Sequence, residues 1–382
     1  MERIYMDNAA TTALYAETAD AMAALSKEIY GNPSSRHAEG MRAAKLLAGS
    51  REKLALLLGS GPEEMYFTSG GTESDNLAVF GALNAGRGYG KNHIVASSIE
   101  HPAVLNAVKG SGAAYTLVAP DASGRVSVLD IEKAIRKDTA LVSVMYANNE
   151  TGVIQPVKEI ADLCRKRGVL FHTDAVQAAG HTDINAHLLG ADMISLSAHK
   201  FHGPKGAGAL YIRRGVNIDP AFSGGGQENG VRPGTQDIIG AFGMAESLGR
   251  SLDGIAEKSA RISGLRETLE NALSKIEGAH FNGASDRLPG ITNVSFEGIN
   301  GASFAALLDL CGIAVSAGAA CASSEDRPSR VLIAMGVPES LARGAIRISL
   351  SEFNTAAEIS AVAGVIADNV RRLRALQQRS AE

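Results

Sequence analysis

The residues Ala191-Asp192-Met193-Ile194-Ser195-Leu196-Ser197-Ala198-His199-Lys200-Phe201-His202-Gly203-Pro204-Lys205-Gly206 decide how the rest of the chain is read. Their first half alternates, Met193 and Ser195 against Ile194 and Leu196, which is the period-two signature of a strand. The strand runs into serine, histidine and lysine and then breaks at a Gly/Pro turn. A lysine at a buried strand end is costly unless it is paired or neutralised. Two readings of Lys200 are open on this stretch alone: a turn lysine facing solvent, or a neutral amine that forms a Schiff base with an aldehyde cofactor such as pyridoxal 5'-phosphate (PLP). Lys205, inside the turn, is read as solvent-facing.

Outward from that stretch, strands and helices alternate. Residues 65–68, 93–96, 140–145, 169–172 and 209–212 read as further strands, with helices following through Phe80 and Val108. Such alternation predicts a mostly parallel α/β sheet with helices on both faces. Polar clusters repeatedly follow the strands: Ser69-Gly70-Gly71-Thr72-Glu73-Ser74, Glu100-His101-Pro102, Asn148-Asn149-Glu150-Thr151-Gly152 and Thr173-Asp174-Ala175-Val176-Gln177. Ligands bind at the carboxyl ends of strands in open parallel sheets, so their convergence weighs more than any one of them.

Each cluster has a plain and a chemical reading. Asp174 is a helix N-cap, or an anion that keeps a pyridine nitrogen protonated. Gly71 and Thr72 form a tight turn, or a strand-to-helix phosphate seat to which Ser197 and His199 add donors. His101 is a solvated loop histidine, or one that stacks on a ring and moves protons. Asn149 and Gln177 offer amide donors suited to a ring oxygen.

The rest of the chain bounds the answer. A length of 382 residues favours two domains. Hydrophobic content of 45%, charged content of 20% and a net charge of −4 describe an ordinary globular protein and argue against a nucleic-acid surface. No stretch approaches the roughly 18 apolar residues of a membrane span, and the first residues carry no signal-peptide pattern. Three cysteines without metal-ligand spacing fit a reducing, cytoplasmic compartment, with Cys164 and Cys311 in apolar, core-like surroundings. Residues 14–255 are read as a large cofactor-binding domain. Residues 1–13 and 256–382 are read as a smaller α+β domain with strands at 291–296 and 345–350. Ser35 is the expected N-cap of the helix carrying Leu46, Leu47, Leu54, Leu57 and Leu58.

Taken in order, the segments Met6-Asp7-Asn8-Ala9-Ala10-Thr11-Thr12, Gly31-Asn32-Pro33-Ser34-Ser35, Thr68 to Asn76, Glu100-His101, Asn148 to Gly152, His172 to Gln177 and Ser197-Ala198-His199-Lys200 resemble the cysteine desulfurases. These are fold-type-I PLP enzymes of the aminotransferase class V superfamily, and the resemblance spans essentially the whole chain. It implies a fold-type-I PLP-dependent transferase with a mostly parallel seven-stranded sheet and a smaller α+β C-terminal domain. Lys200 would hold PLP, Asp174 would pair with its ring nitrogen, Gln177 would meet the ring hydroxyl and His101 would stack. Gly71, Thr72, Ser197 and His199 would hold the phosphate. Thr235, in a glycine-rich segment, would reach the phosphate of a neighbouring subunit, which implies a homodimer.

The resemblance also gives meaning to Val315-Ser316-Ala317-Gly318-Ala319-Ala320-Cys321-Ala322-Ser323-Ser324. By composition this is a small-residue turn with an incidental thiol, or a mobile loop that carries a reactive one. The resemblance makes Cys321 the sulfur carrier and Arg347 the fork for the substrate carboxylate. The implied reaction converts L-cysteine to L-alanine, with Lys200 taking the α-proton and Cys321 keeping the sulfur as a persulfide for a protein acceptor such as an iron–sulfur scaffold. Selenocysteine lyase, cysteine sulfinate desulfinase, aminotransferase and a non-catalytic sulfur-binding module are the rival readings. Two departures stand out: Ala317-Gly318-Ala319-Ala320 precedes the cysteine where the family more often has Ser-Gly-Ser-Ala, and Asn229 stands where a basic residue is common. Few residues follow Arg374, fewer than in members that dock a scaffold through a longer tail, so the acceptor is left open.

Overall fold

The computed structural model describes residues 3–220, 222–317 and 328–381, so Cys321 lies outside the described residues. Twelve strands occur in it: β1 (Ile4–Tyr5), β2 (Met65–Thr68), β3 (His93–Ser97), β4 (Ala114–Val118), β5 (Thr139–Ser143), β6 (Leu170–Asp174), β7 (Met193–Ser197), β8 (Gly208–Ile212), β9 (Ala279–Phe281), β10 (Ile291–Phe296), β11 (Ile313–Ala314) and β12 (Ala345–Ser349). Seven of them form one sheet in the order β2-β8-β7-β6-β5-β3-β4. Every pairing is parallel except those of β8, which runs antiparallel to β2 and β7. β7 turns into β8 through the short Gly/Pro segment quoted above, and only an antiparallel partner can be reached by so short a link.

Alternate residues of the central strands feed two cores, because helices cover both faces. Ile94, Leu141, Met193 and Leu210 pack with Leu77 and Leu83 of the helix Gly71–Arg87. Val95, Val142, Phe171, Ile194 and Leu196 point the other way, into the larger core with Leu54 of the helix Ala38–Leu57 and Met244 of the helix Ile238–Leu252. Each such side chain, fully buried, contributes about 1.5–3 kcal/mol.

A separate core gathers Ile4, Met6, Leu269, Val294, Phe296, Ile346, Ile348 and Ile366. It lies around the antiparallel sheet β12-β10-β9 and the parallel pair β1-β11, flanked by the helices Ile255–Leu273 and Ala356–Ala381. Residues 7–9 are then stitched to the end of β12: the Asn8 side chain donates to the Ser349 carbonyl at 2.9 Å and the Ala9 N–H to Ser349 Oγ at 2.9 Å. The N-terminal segment therefore leaves this core pointed at the carboxyl ends of the large sheet.

Three local readings are corrected. The edge strand β4 is absent from the sequence reading because its first residues are exposed (Tyr115 is 44% exposed) and lack a buried alternation. The helix Ala38–Leu57 is capped not by Ser35 but by His37, whose ring accepts the Gly40 N–H at 3.3 Å; the Ser35 N–H closes a turn on the Asn32 carbonyl instead. Cys164 is fully buried, and burial pushes its thiol up to about 12, whereas Cys311 is only half-buried beside Asn369.

Candidate active site

The carboxyl ends of β2, β3, β5, β6 and β7 open into one cavity of about 870 Å³. Its anion-binding side is built by glycine. Gly70 has φ +148°, and a Cβ on Gly208 would fall 2.5 Å from the Gly70 Cα, so β2 and β8 close here only without side chains. The helix Gly71–Arg87 starts at this point, and its unpaired N–H groups and dipole favour an anion. A Cβ on Gly71 would sit 2.7 Å from Val176 Cγ2, so a side chain there would crowd the seat. Thr72, Ser197 and His199 line the same end. Burial, with help from the Lys200 and Lys205 charges, holds His199 neutral down to about pH 4, and its Nδ1 lies 3.1 Å from Thr11 Oγ1.

The floor is acidic and buried. Asp174 ends β6 and accepts the Val176 N–H at 2.9 Å, a local turn rather than a helix cap. Burial raises its pKa, opposed by the His101 charge, that N–H and the Lys200 charge. Beside it Asp75, 1% exposed, is pushed well above the carboxylate range by burial and then by Asp174. One of its oxygens makes no hydrogen bond. Below them His172 bridges Ser143 and Ser195, at 2.9 Å each, and burial lowers its pKa to about 3. Glu100, behind His101, accepts from Ser97 Oγ and from the Met145 N–H at 2.8 Å, and burial lifts it to about 8.

Lys200 does not face open solvent. Its Nζ lines the cavity and donates to the carbonyls of Ala9 (2.5 Å) and Ala10 (2.9 Å). Gln177 Nε2 donates to the same Ala9 carbonyl at 2.8 Å. His101 caps the helix Pro102–Gly110 through Nδ1, which accepts the Ala103 N–H at 3.2 Å, and burial lowers its pKa. Arg347, on β12 and 1% exposed, donates to the Asn149 carbonyl and to Asp7, both at 2.7 Å. Ser316 and Ala317 line the cavity on one side of residues 318–327, and Pro328, Ser329 and Arg330 on the other.

Ten of the twelve residues expected from the sequence thus meet in one cavity: Gly71, Thr72, His101, Asn149, Asp174, Gln177, Ser197, His199, Lys200 and Arg347. Thr235 is exposed and outside it, and Cys321 falls in residues 318–327. Asp75, Glu150 and the carbonyls of Ala9 and Ala10 were not anticipated. Asp75 and Glu150 sit inside quoted motifs as buried carboxylates, which was a usable signal; a backbone carbonyl carries none.

The model of the aminotransferase class-V family matches residues 4–362. The chain belongs to this family. Among curated relatives it is 44% identical to a cysteine desulfurase IscS of Methanosarcina thermophila, over 97% of this chain and 93% of that one. Among solved structures it resembles a NifS-like protein with a TM-score of 0.90 at 38% identity, covering 97% of this chain and 99% of the other. It also resembles SspA in complex with cysteine, with a TM-score of 0.81 at 33% identity, covering 92% and 100%. Class-V aminotransferases are PLP-dependent enzymes, and the cavity fits that cofactor: a helix start kept open by Gly71 for the phosphate, a buried carboxylate for the ring nitrogen and an amine for the aldehyde.

Proposed function

We propose that this chain is a PLP-dependent cysteine desulfurase that converts L-cysteine to L-alanine and holds the sulfur as a persulfide on Cys321. The observation that carries the reading is that one cavity joins Lys200, Asp174 and the Gly71 helix start to Arg347 and to both flanks of the segment bearing Cys321. When bound, PLP supplies an electron sink for the carbon acids of an amino acid.

The residues divide the remaining work. The helix start at Gly71 and Thr72, with Ser197 and His199, holds the phosphate, and a neutral His199 serves as donor or acceptor without adding charge. Asp174, as the carboxylate, would place a negative charge beside the ring nitrogen and so favour its protonated form, an attraction that burial away from water strengthens. Gln177 and Asn149 would offer amides to the ring's polar substituents, and His101 would stack on it. Arg347 receives the substrate carboxylate, which a planar fork grips at two points. Lys200 takes the α-proton, and the carbonyls of Ala9 and Ala10 give its amine a fixed seat. His101, which burial favours in its neutral form, can accept a proton and hand it on.

The Cys321 thiolate attacks the substrate sulfur and forms an S–S bond; the electron pair of the broken C–S bond stays on the substrate carbon, which takes a proton and leaves as alanine. The glycine-rich segment ending at Thr235 supports a homodimer with shared sites, and the three cysteines suit a reducing cytoplasm. A protein acceptor of an iron–sulfur assembly type would take the sulfur. Among the described residues no helix is long and apolar enough to cross a membrane.

The test is Cys321→Ser in the PLP-loaded protein. Rapid-scan absorbance should still register L-cysteine, because the steps before sulfur transfer use Lys200 and PLP. Alanine release should stop, and mass spectrometry should find no added sulfur atom. Alanine release at the parent rate would sink the desulfurase reading.

A further inference from the structure

Arg347 enters the cavity with its orientation already fixed, and the fixing residue is not a lining residue. Asp7 Oδ1 accepts from one terminal nitrogen of the guanidinium at 2.7 Å, while the other terminal nitrogen donates to the Asn149 carbonyl at 2.7 Å. Arg347 lines the cavity and Asp7 does not, so the carboxylate grips the guanidinium from behind rather than standing where a ligand would stand. Asp7 is anchored on both sides: the Ser349 N–H donates to the Met6 carbonyl at 2.8 Å and the Asn8 side chain to the Ser349 carbonyl at 2.9 Å, two residues along β12 from the arginine itself. Arg347 Nε is buried and makes no hydrogen bond. A buried, unpartnered N–H on a cation costs free energy until an acceptor arrives.

We propose that Asp7 is a positioning residue for substrate recognition: it fixes the plane of the Arg347 guanidinium so that its unused N–H groups meet a planar α-carboxylate. An unclamped arginine would bind by charge alone and would accept anions of many shapes, whereas a clamped one selects the amino-acid carboxylate by geometry. This rests on the reading of Arg347 as the carboxylate-binding arginine.

The experiment titrates the PLP-loaded parent, Asp7→Ala, Asp7→Asn and Arg347→Ala with L-alanine and with cysteamine, an aminothiol without a carboxylate, and follows the visible absorbance of the bound cofactor. L-alanine has the amine and carboxylate but no sulfur, so binding is read whether or not desulfuration occurs. Asp7→Ala should raise the half-saturating L-alanine concentration by about tenfold, the scale of one charge-assisted hydrogen bond. Asp7→Asn keeps an accepting oxygen and should stay within about threefold of the parent. The cysteamine response should be unchanged in both. If Arg347→Ala weakens L-alanine while Asp7→Ala does not, or if Asp7→Ala weakens cysteamine equally, the positioning role is overturned. If Arg347→Ala leaves L-alanine binding intact, the carboxylate is bound elsewhere and the proposal falls with it.

Discussion

Two segments meet at Lys200, and they reach it by different means. The ends of β6 and β7 enter the cavity through side chains, Asp174, Gln177, Ser197 and His199 among them. Residues 7–12 enter largely through their backbone: the Ala9 carbonyl accepts from both Lys200 and Gln177, the Ala10 carbonyl from Lys200, and the Thr12 N–H donates to the His199 carbonyl at 2.9 Å. The floor is held by a sheet with a core on each face; the N-terminal strap pairs with no strand of that sheet and is held by hydrogen bonds to β12 and to Gln177, His199, Lys200 and His202. Chemistry that needs an unusual pKa sits on the rigid side, and the seat for an amine that must move sits on the strap. The carbonyls of Ala9 and Ala10 hold the Lys200 amine by hydrogen bonds, each a modest net contribution that an incoming group can replace.

The largest effect is expected where the two segments touch. Lys200→Ala should abolish alanine formation, since no other amine lines the cavity among the described residues. The protein should still fold and bind PLP noncovalently, because the helix start at Gly71 and the Asp174 carboxylate are untouched. Measurable turnover, or loss of the folded state in circular dichroism, would break the picture of a lysine that serves chemistry rather than architecture.

A smaller effect separates the segments by pH. Glu100, on the floor side, is lifted by burial to about 8. The folded protein therefore keeps a proton that the unfolded chain has released above its ordinary value near 4.5, so this group's stabilising share is full at acid pH and is lost as the pH rises towards 8. His172, pushed down to about 3, works the other way: the unfolded chain binds a proton below about 6.5 that the fold excludes, so stability falls as the pH drops through that window. Glu100→Gln keeps a carbonyl oxygen for Ser97 and the Met145 N–H and removes only the upper slope. Urea midpoints of parent and variant should diverge between about pH 5 and 8 by at most about 1.4 kcal/mol per pH unit, the variant gaining as the pH rises. Parallel profiles would mean that Glu100 is not the buried acid of this floor.

The same contrast explains what the sequence could show. Strand ends followed by Gly-Gly-Thr, Glu-His, Asp-Ala-Val-Gln and Ser-Ala-His-Lys carry their chemistry in side chains, so their convergence was legible before any coordinates. The Met6–Thr12 stretch enters the sequence reading as part of the family resemblance but with no role for any of its residues, because the carbonyls of two alanines look like those of any residue. Asp7 was visible, but nothing local to it pointed across 340 positions to Arg347. β4 escaped because its burial grades from exposed at Ala114 and Tyr115 to buried at Val118, so it carries neither an alternation nor the fully buried run of its neighbour β3. His37 caps in place of Ser35 because the helix begins at Ala38, which leaves Ser35 two residues ahead of the cap position.

The smallest effect tests whether the strap opens separately from the sheet beneath it. Ser349 Oγ, on a residue 1% exposed, accepts the Ala9 N–H at 2.9 Å, and Ala9 is the residue whose carbonyl serves both Lys200 and Gln177. Ser349→Ala leaves that N–H buried without a partner, a loss of about 1–3 kcal/mol. Ser143→Ala is the matched control, since it removes one buried hydrogen bond, to His172 at 2.9 Å, from beneath the floor. Both variants should lose similar global stability in urea. Only Ser349→Ala should speed hydrogen exchange across residues 7–12, because a segment outside the sheet ladder can open locally when one of its bonds is cut, while a strand between two cores opens only with its sheet. If exchange in residues 7–12 were unchanged in Ser349→Ala, or rose equally in Ser143→Ala, the strap would be part of the rigid floor and the distinction between the two segments would collapse.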